Sequence, residues 1–229
     1  MRRPLSSILL IGAAVALPVT IFANGSSMGG SSPSMSAMPE RTPAAMARDA
    51  YNSGIDHRDK GNKLESEASA APEKDRIKTL AKAQDEYGKA LKDFQKAAQL
   101  DKTLYQALNG MGYAYRKTGN YAKALENYDA ALAMAPEFPD AIEYRGEAYL
   151  ALNRIDDAKK AYLSLFASDR TQATQLLKSM AAWVKAKQAD PAGVSADVIT
   201  GLDTWVKERA QLAGLTASMA RTSTRSIWN

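Results

Sequence analysis

The chain of 229 residues contains no cysteine and a single histidine, His57. The missing cysteines exclude disulfide bonds, thiolate zinc sites and a cysteine nucleophile. A lone histidine excludes a cluster of imidazole ligands, and we expect no metal site. His57 lies in the polar segment 57–60, where we expect it to be solvated or to cap a helix rather than to act as a catalytic base.

Sequence motifs of common enzyme classes are also missing. The chain has no G-x-S-x-G nucleophile elbow, no phosphate-binding loop and no dinucleotide fingerprint. Its net charge of +5 falls to +3 without Arg2 and Arg3, and the other basic residues form no dense patch of the kind that nucleic-acid binders show. We therefore expect no catalytic site, no cofactor and no nucleic-acid partner.

The first 23 residues have the pattern of a secretory signal peptide. Arg2 and Arg3 precede an uncharged apolar run, Pro18 lies late in the segment, and Ala23 is a small residue at a suitable cleavage position. The alternative is an uncleaved membrane anchor, because residues 5–23 form a stretch of about 19 residues, just enough to span a bilayer. Both interpretations predict export to the periplasm or cell envelope of a bacterium.

Residues 24–43 are rich in Ser, Gly, Met and Pro, which indicates a flexible linker between the signal and the folded domain. Three methionines in it, Met28, Met35 and Met38, raise the idea of a cuprous ion site, because thioethers are soft ligands. Their spacing is irregular and no histidine or cysteine accompanies them, so we expect no copper site.

From residue 44 onward the composition is typical of helices, and a 34-residue period runs through the middle of the chain. Four residues of one segment recur with the same identity 34 positions later. The pairs are Gly112 and Gly146, Tyr115 and Tyr149, Ala124 and Ala158, and Tyr128 and Tyr162. A helix–turn–helix unit with this period and these residues resembles the tetratricopeptide repeat (TPR) family.

This resemblance implies an all-α fold, a TPR-like right-handed helical solenoid of about three helix pairs followed by C-terminal capping helices. The domain is expected over 44–215, with repeats at about 44–102, 105–138 and 139–172, capping helices at about 171–188 and 195–212, and a mobile tail over 216–229. The first repeat has a lengthened hairpin, and either Gly54 or Gly61 sets the register of its first helix.

Small residues in the repeats mark close contacts between helices. We expect Gly112 and Ala124 to lie where the two helices of one repeat touch, and Ala131 to let the next repeat approach. Gly119 is expected to take a positive φ in its turn, and Asn153 to do the same in the next repeat. The other residues expected to pack inside the two repeats are Tyr115, Tyr128, Gly146, Tyr149, Ala158 and Tyr162.

Partners of TPR proteins commonly bind a concave face made by the first helix of each repeat, so the resemblance implies a groove here. The residues placed on it are Gln106, Asn109, Tyr113 and Arg116 from one repeat and Asp140, Glu143 and Glu147 from the next. Arg58 and Asn62 resemble part of the clamp by which some TPR domains hold a chaperone's C-terminal carboxylate. Glu143 and Glu147 stand where that clamp needs basic residues, so we expect a mixed or basic peptide instead.

Glu143 and Glu147 lie four residues apart and therefore share a helix face. We expect a solvated face paired with Arg116 or Lys117; the alternatives are contact with a basic partner and acid–base catalysis in a hydrolase of envelope polymers. The sequence thus predicts a non-enzymatic scaffold or assembly factor that binds a protein or peptide. Its oligomeric state is left open, although Trp228 could serve in association.

Overall fold

Eight α-helices make up the part of the chain that the structure describes. The computed structural model describes residues 41–226, with side chains through residue 215. The helices are α1 (Pro43–Ala70), α2 (Glu73–Leu100), α3 (Tyr105–Lys117), α4 (Tyr121–Met134), α5 (Pro139–Ala151), α6 (Ile155–Ser168), α7 (Arg170–Ala189) and α8 (Ala196–Ser226). No strand occurs between residues 41 and 226, which confirms the all-α prediction of three helix pairs and two further helices. The predicted signal peptide, most of the linker with its three methionines, and Trp228 lie outside the described residues.

The first pair, α1 and α2, is the lengthened hairpin that the sequence predicts. Each helix has 28 residues, and the chain reverses at Ala71, where the following Pro72 disfavours a helical conformation. Both candidate glycines are used. A Cβ on Gly54 would lie 2.7 Å from the Phe94 ring, and a Cβ on Gly61 would lie 2.5 Å from the Tyr87 ring. The two helices therefore touch at two places, two helical turns apart.

The pair α3 and α4 packs as the repeat pattern predicts. A Cβ on Gly112 would lie 2.6 Å from the Tyr128 ring, and Ala124, Tyr128 and Ala131 are fully buried. The turn between the helices places Gly119 at φ 80°, where glycine has no steric penalty. Asn153 takes the same place in the next turn at φ 57°, which confirms that prediction as well.

The pair α5 and α6 departs from the pattern at one position. Gly146 was expected to pack against its own repeat, as Gly112 does, but the atoms nearest to a Cβ there belong to Leu176 of α7, at 2.6 Å. The reason is that α7 packs directly on α5. Ala158 and Tyr162 are buried as predicted, while Tyr115 and Tyr149 are half-buried at the edge of the core.

The two C-terminal helices close the stack. The carboxylate of Asp169 caps α7 by accepting hydrogen bonds from the Thr171 and Gln172 amides, and the Ser195 hydroxyl accepts one from the Val198 amide at the start of α8. Helix α8 continues to Ser226 and so includes residues 216–226 of the segment that the sequence predicts to be a mobile tail. No proline interrupts this Ala-, Ser- and Arg-containing segment, so nothing in it stops the helix. Between residues 41 and 226, no helix combines the length and apolar character that crossing a membrane requires.

Candidate functional site

The first helices of successive pairs lie side by side and form one face of the stack. Contacts join α1 to α3, α3 to α5 and α5 to α7. Side chains three and four positions apart on these helices point the same way, and they enclose a polar cleft of about 300 Å³, which we call the inner cleft. Its lining residues are Tyr113, Arg116, Lys117, Glu143, Tyr144, Glu147, Gln172 and Gln175.

Arg116 is the central cation of the inner cleft. Its side chain is 14% exposed, and Nη1 lies 2.7 Å from Oε2 of Glu147. The guanidinium also lies over the rings of Tyr113 and Tyr144, at 5.0 and 5.4 Å from their centroids. Aromatic faces attract cations, so the two rings and the carboxylate together hold the guanidinium in place.

Helix α7 contributes polar partners that the repeat pattern does not contain. Ser179 Oγ donates a hydrogen bond to Oε1 of Glu147 at 2.5 Å, and Gln172 Nε2 donates one to Oδ1 of Asp140 at 2.5 Å. Both carboxylate oxygens of Glu147 are therefore engaged, one by Arg116 and one by Ser179. These contacts fasten α7 to the polar face of α5.

Among the residues that the structure describes, Glu143 carries the one carboxyl group that is almost entirely buried, with 4% of the residue exposed. Burial, together with the nearby charge of Glu147, raises its pKa to about 8, while Arg116 acts in the opposite direction. The group is thus mainly protonated at neutral pH and can donate a hydrogen bond instead of carrying a charge.

The lengthened hairpin supplies the other wall beside the inner cleft. Asn62 Oδ1 accepts hydrogen bonds from the hydroxyls of Tyr87 at 2.8 Å and Tyr113 at 2.7 Å. Lys117 forms an ion pair with Glu65. The hairpin and the second repeat are therefore joined by a polar network, in which Asn62 orients two aromatic rings.

The predicted groove residues fall into two groups. Tyr113, Arg116, Glu143 and Glu147 meet at the inner cleft, whereas Gln106, Asn109 and Asp140 are not among the residues that line it. The predicted pairing of the acidic pair with Arg116 is confirmed for Glu147. The predicted solvated face is wrong for Glu143, which is almost entirely buried on α5, the helix against which both α3 and α7 pack.

His57 also differs from its prediction. It is neither solvated nor a cap: its ring is 25% exposed, and Nδ1 lies 2.6 Å from Oε2 of Glu86 on α2. The second ring nitrogen lies 3.9 Å from Asp93. His57 therefore joins α1 to α2. Within residues 41–226, no group of three or more His, Cys, Asp or Glu side chains is arranged to hold a metal ion.

Several members of the inner network could not be identified from the sequence. Glu65 lies 52 residues from its partner Lys117, and Gln172 and Ser179 belong to α7, which lacks the repeat pattern. Tyr144 lies next to Glu143, and helical spacing could have placed it on the same face. The sequence did place Tyr113, in the preceding repeat, on that face. Its ring is 5.0 Å from that of Tyr113.

Comparison with known proteins identifies the central repeat. Residues 105–138 match the family model of the tetratricopeptide repeat. No curated protein sequence matches the chain at the significance required. The match covers α3, α4 and the turn that follows them, the segment in which Gly112, Ala124 and Tyr128 pack together.

Three solved structures illustrate the likeness. The first TPR of Spaghetti (RPAP3), bound to the HSP90 peptide SRMEEVD, is 23% identical with a TM-score of 0.39 and covers 55% of this chain and 94% of its own. The second TPR domain of human RPAP3, in complex with the HSP70 peptide SGPTIEEVD, is 19% identical with a TM-score of 0.39. The alignment covers 56% of this chain and 95% of that domain. The Sgt2 TPR domain from Aspergillus fumigatus is 23% identical with a TM-score of 0.35. The alignment covers 67% of this chain and 81% of that domain. At these TM-scores the likeness carries no argument about binding.

Proposed function

We propose, from the tetratricopeptide repeat at residues 105–138, that this chain is a non-enzymatic scaffold or assembly factor that binds a segment of another protein in its inner cleft. The observation that carries the proposal is the fixed geometry of the cleft. Arg116 is held by Glu147 and two tyrosine rings, and Glu147 is held by Ser179. Groups that are already ordered lose little entropy when a peptide binds, so the cleft is preorganised for one.

The polar groups at the cleft favour a segment of mixed or basic character. Glu147 and Lys117 are 23% and 20% exposed at their side chains, and Gln172 and Gln175 add amide donors and acceptors for a peptide backbone. The partly buried ring of Tyr144 offers an apolar surface. Arg116, Lys117 and Glu147 give the cleft charges of both signs beside two amides, which suits a peptide of mixed polar and charged side chains.

An acidic chaperone tail is a poorer fit to this cleft. Asn62, which resembles a clamp residue, already accepts hydrogen bonds from Tyr87 and Tyr113. Arg58 is paired with Asp59 and lies over the Tyr113 ring. These two residues are therefore committed to the fold, and we do not extend the HSP90 and HSP70 peptides of the compared structures to this chain.

A bulky side chain at the mouth of the cleft tests the proposal. Gln175 lines the cleft and is exposed, so Gln175→Trp should fill the cleft without disturbing the core. We expect it to abolish binding of peptides selected from a panel by the full chain, measured by titration calorimetry. Gln188→Trp, at an exposed position of α7 outside the cleft, is the matched control. Unchanged binding by Gln175→Trp would contradict the proposed site.

Charge reversal of the acidic pair is a complementary test. Glu143→Lys together with Glu147→Lys should weaken binding of basic peptides, and no loss of binding would count against the proposed peptide chemistry. This variant also deprives Arg116 of its ion-pair partner, so its thermal unfolding must be compared with that of the unsubstituted chain.

The setting proposed for this scaffold is the bacterial periplasm or cell envelope, on the strength of residues 1–23. Cleavage of this segment would release the protein, and its retention would tether it to the membrane. The mass of the protein isolated from its native cells separates the two, because cleavage removes about 23 residues.

A hydrolase of envelope polymers is the second candidate, favoured by the raised pKa of Glu143 beside the Glu147 carboxylate. Against it, Glu143 is 4% exposed and both oxygens of Glu147 are engaged. Incubation of the full chain and of Glu143→Gln with cell-wall and glycan substrates tests it. Turnover that Glu143→Gln abolishes would establish the hydrolase and contradict the scaffold.

A further inference from the structure

An apolar pocket lies at the opposite end of the stack from the hairpin, among α6, α7 and α8. Its volume is about 640 Å³, within the range of small-molecule sites. The residues that line it are Tyr162, Phe166, Arg170, Ala173, Thr174, Leu177, Lys178, Ala181, Val206, Ala210 and Ala213. It shares no lining residue with the inner cleft, although Lys178 of the pocket contacts Gln175 of the cleft.

Part of the pocket's wall belongs to the buried core. Tyr162 and Ala173 are each 1% exposed, and Leu177 and Val206 are each 8% exposed, although all four line the pocket. These side chains form an apolar floor, and a volume of about 640 Å³ suits a small molecule.

The charged residues of the pocket have one sign. Arg170 and Lys178 line it, and no carboxylate does among the described residues. The Arg170 guanidinium lies 3.4 Å from the centroid of the Phe166 ring, which holds it at the pocket, and Lys178 contacts Gln175. Neither cation is paired with a carboxylate of the described residues, so both are available to an anion.

We propose that this pocket binds an amphipathic carboxylate, with its alkyl chain between α6, α7 and α8 and its carboxylate attracted by the positive charges of Arg170 and Lys178 at the exposed edge. The apolar walls supply the burial that an alkyl chain gains on leaving water, and the two cations fix which end of the ligand faces outward. A long-chain fatty acid has this chemistry. An acidic amphipathic helix of a partner protein has the same charge, and binding of such a peptide is the alternative outcome of the test.

Chain length gives the first test. Titration calorimetry of the full chain with octanoate, decanoate and dodecanoate, each below its micelle concentration, should show affinity rising about fourfold for each methylene that enters the pocket. Dodecan-1-ol, which has the same chain without the charge, should bind at least tenfold more weakly than dodecanoate, by the usual strength of hydrogen bonds to charged groups. Equal affinity for the acid and the alcohol would overturn the assignment of Arg170 and Lys178.

Substitutions locate the site. Arg170→Gln and Lys178→Gln, both at exposed positions, should each weaken dodecanoate binding about tenfold and leave dodecan-1-ol unchanged. Lys185→Gln, an exposed lysine of α7 outside the pocket, is the matched control and should bind like the unsubstituted chain. Ala210→Trp, at an exposed position of the pocket wall, should abolish binding of both ligands while thermal unfolding stays unchanged.

Two results would show that the proposal is wrong. Dodecanoate binding that survives Ala210→Trp would place the ligand elsewhere. Failure of every carboxylate to bind, combined with binding of an acidic amphipathic peptide that Ala210→Trp abolishes, would show that the pocket receives a helix instead.

Discussion

The two ends of the described chain are built from different side chains. In α1, α2 and α3 the buried residues are alanine, glycine, tyrosine, phenylalanine and one asparagine, and none of these helices buries a leucine, isoleucine or valine. In α5 to α8 the buried set is largely aliphatic and forms one continuous cluster that reaches from Ala131 to Val206. The N-terminal helices α1 to α3 form two clusters of three buried residues each.

This difference changes how each end resists substitution. Where a ring lies against a glycine, as Phe94 does against Gly54, there is no room for an added carbon. The van der Waals contacts there depend on the ring lying directly against the backbone of the neighbouring helix. Where aliphatic side chains interlock, stability follows from the apolar area removed from water, and lost volume is the main danger. The N-terminal end should therefore be sensitive to added atoms and the C-terminal end to removed ones.

The largest expected effect is the loss of an aliphatic side chain at the C-terminal end. Leu176 is fully buried in the main cluster, so Leu176→Ala should lower the free energy of unfolding by about 3–5 kcal/mol through lost burial and the cavity left behind. Urea denaturation measures this. Leu163→Ala, at a leucine of α6 that is 48% exposed, should change the free energy by less than about 0.5 kcal/mol.

The same position provides a test of coupling. Leu176 occupies the space that a Cβ on Gly146 would need. Gly146→Ala should therefore destabilise the unsubstituted chain, but it should be neutral or stabilising when it is added to the Leu176→Ala variant. Additive free energies in the double-mutant cycle would show that the contact does not limit position 146.

The next largest expected effect is a pH-dependent change in the free energy of unfolding, and it comes from Glu143 on α5. The folded-state pKa of Glu143 is raised to about 8 from the ordinary glutamate value of 4.5, so the folded chain keeps a proton that the unfolded chain releases between these two pH values. The stability linked to this group is therefore greatest at low pH and is lost as the pH rises toward 8. Glu143→Gln keeps the shape of the protonated group and should raise the free energy of unfolding by about 4 kcal/mol at pH 8.5, with little change at pH 5.

Denaturation at a series of pH values checks this expectation. Glu126→Gln, at an exposed glutamate of α4, serves as the control and should show no difference between pH 5 and pH 8.5. A constant difference between Glu143→Gln and the unsubstituted chain across this range would mean that Glu143 is ionised in the folded protein.

At the N-terminal side of the comparison, Gly112→Ala adds one carbon against a buried ring. The new Cβ would lie 2.6 Å from Tyr128, whose ring is fully buried and cannot move aside. Overpacking of this kind should lower the free energy of unfolding by about 1–2 kcal/mol despite the higher helix propensity of alanine. Thermal and urea unfolding measure it, and a stabilising substitution would contradict the proposed cause.

The sequence predicted the fold well because the repeat period carries most of the information. Gly112, Ala124 and Tyr128 specify one helix pair by their spacing, and the same spacing places the next pair. Asn153 could be assigned a left-handed conformation because it stands where the preceding repeat has Gly119. The contact of Gly146 with Leu176 was not predictable, since α7 has no counterpart earlier in the chain.

The candidate site was predicted only in part for a related reason. Helical spacing tells which residues share a face, so Arg116, Glu143 and Glu147 could be grouped. It does not tell which helices will cover that face, and Glu143 lies on α5, against which both α3 and α7 pack. Ser179, the partner of Glu147, and Gln172, the partner of Asp140, also belong to α7, so these contacts could be found only from the structure.

The smallest expected effect is a gain in stability, and it isolates the role of the rings. Gly88 of α2 has no atom within 4 Å of the position of an added Cβ, in contrast to Gly54, Gly61 and Gly112. Gly88→Ala should therefore raise the free energy of unfolding by about 0.5–1 kcal/mol, because alanine has the higher helix propensity and restricts the unfolded chain. Since Gly88 and Gly112 both lie inside helices, opposite signs for the two substitutions would assign the cost at Gly112 to the Tyr128 ring. A loss of stability in both would mean that the backbone, and not the ring, requires glycine in these helices.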